Sequence, residues 1–133
     1  MIRLVPDTNV IISSVFWRGR AYKIIAKGIQ GEYKLITSPE IIEEVIDRLK
    51  NKFKFPEIEL QNFIDLIFTF FEIVEPSSKF EIVRDKKDNK IIECAFDGKA
   101  DYIVTGDKDL QILKIYKNVK IVSPSEFVSL ESI

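Results

Sequence analysis

Histidine is missing from this 133-residue chain, and cysteine occurs once, as Cys94. The chain therefore lacks the side chain that most often serves as general base or zinc ligand. A single cysteine can form neither an internal disulfide nor a zinc site, so we expect a reducing compartment. No apolar run approaches the ~20 residues of a membrane span, and no secretory signal precedes Pro6 and Asp7. We expect a cytoplasmic protein without a membrane segment, whose active site, if it has one, is built on carboxylates.

Neither sign of charge dominates the sequence. Twenty basic and 21 acidic side chains give a formal net charge of −1, which argues against a protein that coats nucleic acid through an overall basic surface. Local contacts to phosphate remain compatible with this balance. The apolar fraction of 46% is enough for a sizeable core, and the length predicts one domain over residues 1–133.

Apolar runs alternate with helix-period patterns along the chain. The patterns predict strands at residues 2–5, 33–37, 72–75, 102–105 and 119–122, a helical turn at 10–16, and helices at 21–29, 39–50, 57–71, 88–96 and 125–130. Strands that alternate with helices predict an α/β fold, with a parallel sheet covered on both faces. The helix at 57–71 is apolar on more than one side, which predicts packing against a second protein chain.

Four acidic segments fall at the ends of these elements. Asp7 follows the first strand, Asp107 and Asp109 follow the fourth, and Asp88 opens a helix. In open parallel sheets ligands bind beyond the carboxyl ends of the strands, so these acids should meet. The remaining segment holds Glu43 and Glu44 in the helix after the second strand. Glu44 is the favoured member of that pair because it lies nearer the apolar stripe of its helix.

Each acid also has a structural interpretation. Asp7 and Asp107 suit turns, Glu44 suits a solvated helix face, and Asp88 suits a helix N-cap. Asp109 fits a capping or assisting role as well as direct metal ligation.

Convergence of four carboxylates would favour a bound cation. Like charges within about 4–6 Å repel one another, and a divalent ion with oxygen ligands, such as Mg²⁺ or Mn²⁺, would relieve that repulsion. A site of this kind can activate water and stabilise charge on a phosphate. The residues therefore predict metal-assisted hydrolysis of a phosphodiester.

Taken together, the segments resemble the PIN-domain nucleases, metal-dependent ribonucleases that include VapC-type toxins of toxin–antitoxin pairs. The resemblance spans nearly the whole chain and rests on four motifs, which are Asp7-Thr8-Asn9, the Ser38-Pro39 helix carrying Glu44, the helix from Asp88-Asn89-Lys90, and Thr105-Gly106-Asp107-Lys108-Asp109.

This resemblance implies a fold, an activity and partners. The fold is a three-layer α/β/α sandwich with a mainly parallel sheet. The activity is Mg²⁺- or Mn²⁺-dependent cleavage of single-stranded RNA, with Asp7, Glu44, Asp88 and Asp107 as catalytic metal ligands, Asp109 close by, and Thr8, Asn9 and Thr105 in support. The partners are an RNA substrate, an antitoxin protein and a second copy in a homodimer.

Competing enzyme classes lack their motifs. A haloacid dehalogenase-type phosphatase needs a second aspartate where Asn9 stands, a receiver domain needs an upstream acidic pair, and a dinucleotide-binding turn needs Gly-x-Gly-x-x-Gly. Two alternatives remain open: a PIN-like module that binds RNA or protein without cutting, and an RNA-processing nuclease unrelated to toxins.

Basic side chains that could hold phosphate are scattered. They also suit a solvated face, and Trp17 could stack on a base or simply pack. The candidates for RNA binding are Arg18, Arg20, Lys23, Lys90 and Lys108.

Overall fold

A six-stranded sheet forms the centre of the fold in the computed structural model, which describes residues 1–81 and 86–131. The strands are β1 (Arg3–Pro6), β2 (Lys34–Thr37), β3 (Glu72–Ile73), β4 (Tyr102–Val104), β5 (Ile115–Tyr116) and β6 (Val119–Val122), in the spatial order β3-β2-β1-β4-β6-β5. Neighbouring strands are parallel except for β5 and β6, which are antiparallel. The central strand β1 therefore ends at the same edge of the sheet as β2 and β4.

Seven α-helices flank the sheet within the described ranges. They are α1 (Thr8–Phe16), α2 (Arg20–Ile29), α3 (Pro39–Asp47), α4 (Glu57–Phe70), α5 (Lys86–Asp97), α6 (Lys108–Gln111) and α7 (Pro124–Glu131). A π-helical segment, Arg48–Lys52, continues directly from α3. The arrangement is a three-layer α/β/α sandwich with a mainly parallel sheet, which confirms the predicted fold class.

Side chains cap the first turn of several helices, of which α3 and α1 matter most for the site. Ser38 accepts a hydrogen bond from the Ile41 amide, and Pro39 occupies the first turn of α3, as the Ser-Pro pair predicts. Asp7 caps α1 by accepting a hydrogen bond from the Val10 amide. Because of that cap, α1 is a full helix from Thr8, and the prediction of a mere helical turn from Val10 is wrong.

Other differences from the predicted elements have local causes. The helix predicted at 39–50 changes to π-helical backbone at Arg48. Helix α5 begins at Lys86, so Asp88 lies in its first turn and does not open it. The short elements α6 and β5 were not predicted, because four-residue and two-residue elements carry too little periodicity to detect.

The core surrounds the central strands. Leu4, Val5, Leu35, Ile36 and Ile103 have no exposed surface, so the middle of the sheet is apolar on both faces. No helix in the described ranges is long and apolar enough to cross a membrane.

Helix α2 approaches β2 closely at Gly28. A Cβ atom on Gly28 would lie 2.4 Å from Leu35 Cγ and 2.6 Å from its Cδ1, and Leu35 is fully buried.

We expect Gly28→Ala to lower the free energy of unfolding by about 1–3 kcal/mol, as overpacking of a core does. Urea denaturation measures this. Gly106→Ala is the matched control, since a Cβ there meets no atom within 4 Å. Equal stability of the two variants would contradict the close packing.

Candidate active site

Asp7 lies at the end of β1, where the strand passes directly into α1. Its side chain is 6% exposed. One carboxylate oxygen accepts a hydrogen bond from the Val10 amide at 2.8 Å, and the other accepts one from the Thr105 hydroxyl. Burial raises the pKa of the Asp7 carboxyl; the hydrogen bonds from Thr105 and Val10 oppose that rise, and the charges of Asp107 and Glu44 add to it. The carboxylate is thus fixed in position and carries a charge that its surroundings disfavour.

Thr105 connects the ends of the two central strands. It is fully buried, donates its hydroxyl hydrogen to Asp7, and accepts a hydrogen bond from the Asp107 amide at 2.9 Å. The Gln111 side chain donates to the Thr105 carbonyl at 2.7 Å. One threonine therefore orients Asp7 directly and sets the backbone on which Asp107 stands.

Six of the predicted site residues, including the four acids, line a single pocket of about 150 Å³ at this edge of the sheet. This carboxylate pocket is lined by Asp7, Thr8, Asn9, Glu44, Arg48, Asp88, Ile91 and Asp107. The acids come from four different places in the chain, namely the end of β1, the middle of α3, the first turn of α5 and the start of α6. Only the tertiary structure brings them together.

Glu44 and Glu43 differ in where they lie. Glu44 lines the carboxylate pocket with its side chain 19% exposed. Glu43 is exposed and lines a neighbouring pocket instead. The geometry favours Glu44 as the member of the pair that acts with the other acids, although its role stays a prediction.

Arg48 is the pocket residue that sequence reasoning missed. It donates a hydrogen bond to Asn9 Oδ1 at 2.5 Å, and its guanidinium lies 4.0 Å from the Glu44 carboxylate. The contact with Glu44 has a sequence signal, since Arg48 follows Glu44 by four residues, the spacing of neighbours on one helix face. No sequence pattern links Arg48 to Asn9, which lies 39 residues away. The pocket therefore combines carboxylates with a cation that is able to hold phosphate.

The remaining predicted residues lie outside the carboxylate pocket. Asp109 is exposed, and its backbone amide donates to Asp107 Oδ1 at 2.8 Å. Lys90 pairs with Glu40 at 3.2 Å and lines the neighbouring pocket. The other proposed RNA-binding cations are exposed on or next to α2 and α6, namely Arg18, Arg20, Lys23 and Lys108.

The donor set suits Mg²⁺ or Mn²⁺ in kind. Every acidic group that lines the pocket offers carboxylate oxygens, the ligands that hard cations prefer. Yet among the described residues no three acidic side chains are arranged to hold an ion together. Glu44 lies 4.0 Å from the Arg48 guanidinium, and its long side chain can turn from that cation toward a metal ion by rotation about its side-chain torsions.

Cys94 offers no covalent chemistry. Its side chain is fully buried, and burial raises the pKa of the thiol to about 12. The protonated thiol is a poor nucleophile, and the sequence holds no histidine to activate a serine. A reaction in the carboxylate pocket would therefore use water as the nucleophile.

Comparison with known proteins identifies the family. Residues 3–109 match the PIN domain, and the chain belongs to the PIN domain family. It is 34% identical over 140 residues to the uncharacterized protein MJ1680 of Methanocaldococcus jannaschii, a match that covers 96% of this chain and 90% of that protein.

Solved structures share the fold at low sequence identity. VapBC2 from Rickettsia felis, solved bound to a DNA fragment from its promoter, superposes with a TM-score of 0.66 at 14% identity, covering 92% of this chain and 98% of that one. The PIN domain endonuclease Utp24 superposes with a TM-score of 0.53 at 18% identity, covering 91% of this chain and 84% of that one. At these identities the likeness concerns the fold alone.

Replacement of Asp7 and of Asp97 by asparagine should change the stability at pH 7 in opposite directions. The pKa of Asp7 is raised in the folded state by burial, so ionisation at neutral pH costs stability. With divalent ions chelated, Asp7→Asn should raise the melting temperature at pH 7, and the gain should vanish once the pH falls below the ordinary aspartate pKa of about 3.9. Asparagine keeps the N-cap of α1. Thermal unfolding in EDTA across this pH range measures the effect.

Asp97 is the matched comparison. Hydrogen bonds, first from the Ser78 amide and also from Ser77, lower the pKa of its carboxyl. Its stabilising contribution is present above the unfolded pKa and is lost as the pH falls through the folded pKa. Asp97→Asn should therefore destabilise at pH 7 and matter least in acid. A destabilising Asp7→Asn variant at pH 7 would contradict the assignment of a strained, buried charge.

Proposed function

We propose that this protein is a metal-dependent endoribonuclease that cleaves single-stranded RNA. The observation that carries the proposal is the convergence of Asp7, Glu44, Asp88 and Asp107 on one pocket, on a PIN domain fold. These four carboxylates would hold Mg²⁺ or Mn²⁺, with Asp109 assisting from the next turn. The bound cation would lower the pKa of water and offset the charge that develops on the phosphate.

The chain's own residues would prepare the reaction. Thr105 and the Val10 amide fix both oxygens of Asp7, so that carboxylate needs no reorganisation when substrate arrives. Arg48, held by Asn9 at the pocket wall, would bind a phosphate oxygen of the RNA. Water would attack the phosphorus and a pocket carboxylate would accept its proton, while the bond from phosphorus to the leaving ribose oxygen breaks and that oxygen takes a proton from solvent water.

A toxin–antitoxin role is the biological setting that we favour. The fold likeness to a VapBC2 protein supports it, and it implies an antitoxin partner and a cytoplasmic location. The likeness to the endonuclease Utp24 supports the broader alternative of an RNA-processing nuclease. A module that binds without cutting is favoured by one observation, the lack of a preformed three-carboxylate arrangement in the described part of the chain.

Cleavage assays test the activity. Wild-type protein incubated with labelled single-stranded RNA should cut internally, EDTA should stop the reaction, and Mn²⁺ or Mg²⁺ should restore it. Asp7→Asn should lower the rate by at least roughly a hundredfold, since even residues that only orient metal ligands cost 10–100-fold. Asp101→Asn, prepared identically, is the control, because Asp101 is an exposed aspartate bonded to the Arg3 amide outside the pocket.

Two results would count against the enzyme. Equal cleavage by wild type and Asp7→Asn would indicate a contaminating nuclease or another site. RNA binding by the wild type without cleavage of any tested RNA, in either metal, would favour the non-catalytic module.

Helix α4 supports a homodimer. Leu60 and Ile67 face the core, whereas Ile58 and Phe68 are 78% and 59% exposed. Exposed apolar side chains mark an interaction surface where they form a contiguous patch, whereas single exposed ones are common, and the oligomeric state decides between the two for α4. We expect wild-type protein to be dimeric in light scattering and the variant Ile58→Lys/Phe68→Lys to be monomeric and folded. Ile112→Lys, at a side chain 73% exposed elsewhere, should stay dimeric; a monomeric wild type at high concentration would refute the dimer.

A further inference from the structure

We propose that a basic and aromatic surface next to the carboxylate pocket binds the nucleotides of single-stranded RNA that flank the cleaved bond. The surface consists of residues 48–55 together with Trp17, and we refer to it as the flanking surface. Residues 48–55 read Arg-Leu-Lys-Asn-Lys-Phe-Lys-Phe, with four cations and no acid. This inference deepens the proposed function and rests on it.

The flanking surface is continuous with the pocket. Arg48 lines the carboxylate pocket and is also the first residue of the π-helical segment. The Phe53 amide donates to the Arg48 carbonyl at 3.0 Å, so Phe53 lies one helical turn beyond Arg48. A strand whose phosphate contacts Arg48 would therefore meet Phe53 one turn further along the segment.

The aromatic part of the surface offers exposed ring faces. The Phe53 ring packs against Phe16 with a centroid distance of 4.9 Å, and Trp17 lies beside Phe16 at 5.7 Å. Trp17 is 61% exposed and Phe53 is 37% exposed. Phe16 and its neighbour Phe55, at 5.6 Å, hold the rings in place from below, and unpaired bases stack on platforms of this kind without regard to sequence.

The cations are distributed among these rings. Lys50, Lys52 and Lys54 are all exposed, and Lys52 Nζ lies 5.6 Å from the centroid of Phe53. Cations interleaved with aromatic faces match the alternation of phosphates and bases along a single strand.

An acidic pocket next to the carboxylate pocket repels a polyanion. The neighbouring pocket of about 210 Å³ shares Glu44 and is lined by Glu40, Glu43 and Asp47, with Lys90 as its cation. Lys90 is already paired with Glu40. A phosphate chain leaving the active site is therefore drawn toward the flanking surface and away from the acidic face of α3.

The charge of the flanking surface also favours RNA over a second copy of the chain as its binding partner. In a two-fold symmetric dimer a patch meets its own copy, and this patch would bring four cations against four cations at a cost of several kcal/mol. A single-stranded polyanion has the opposite charge and supplies the rings with bases. RNA is the occupant that matches both properties.

The experiment measures RNA binding apart from cleavage. All variants are made in an Asp7→Asn background and titrated in EDTA with a fluorescein-labelled oligouridylate, followed by anisotropy at several salt concentrations. Trp17→Ala should weaken binding roughly five- to hundredfold, the range for loss of one stacked base. Lys50→Gln/Lys52→Gln/Lys54→Gln should make the slope of log K against log salt less steep by about 2, since each phosphate contact to a single strand contributes about 0.7.

Matched controls separate this effect from bulk charge. Lys99→Gln/Lys114→Gln/Lys120→Gln removes three exposed lysines that do not line the carboxylate pocket, and it should leave the salt slope nearly unchanged. Thermal unfolding establishes that each variant is folded; Trp17→Leu replaces Trp17→Ala if the latter is not.

The outcomes distinguish this inference from the proposed function. If the background protein binds RNA and both lysine triples behave alike, the flanking surface is refuted and the nuclease proposal stands. If the variants change oligomeric state in light scattering while RNA affinity is constant, the surface is a protein interface. If the background protein binds no RNA at any salt, the flanking surface is refuted, and the cleavage assay of the wild type decides the nuclease proposal separately.

Discussion

The buried carboxylate of Asp7 is the constraint around which the rest of the site is organised. Its charge is held at the carboxyl end of the central strand by the Val10 amide and the Thr105 hydroxyl. Burial alone would favour the protonated form, and two neighbouring acids add to that tendency. A cation bound beside this carboxylate would offset the free-energy cost of its buried charge. The same side chain also starts α1, so the site and the first helix depend on one residue.

Hydrogen bonds that start from Asp7 also fix the polar residues around it. Thr105 touches Asp7 with its side chain and receives the Asp107 amide, while Gln111 holds its carbonyl. Asp107 in turn caps the short helix α6 through the Asp109 amide. Hydrogen bonds thus connect Asp7 to Thr105, Thr105 to Asp107, and Asp107 to Asp109. Each polar residue of the Thr105–Asp109 motif therefore has a structural role as well as its proposed chemical role.

Arg48 lies where the charge along the chain changes sign. It contacts Asn9 and Glu44 at the pocket and begins a segment rich in lysine, whereas α3 before it carries Glu40, Glu43, Glu44 and Asp47. A chain with a net charge near zero can bind a polyanion only if its cations are segregated. Here the order of the sequence itself separates the acids of α3 from the cations that follow Asp47.

Local sequence determined much of this protein by itself. The alternation of apolar runs defined the α/β class, the Ser38-Pro39 pair defined the start of α3, and the acids after β1 and β4 pointed to one edge of the sheet, because parallel strands end together. The tertiary structure decided what depends on distant contacts. It separated Glu44 from Glu43, placed Asp88 inside the first turn of α5, extended α1 to Thr8 through the Asp7 cap, and brought Arg48 to Asn9. The Asp7 cap is a local contact, whereas the positions of Glu44 and Arg48 follow from packing between elements far apart in the chain. Hydrophobic periodicity carries no information about which side chains will meet.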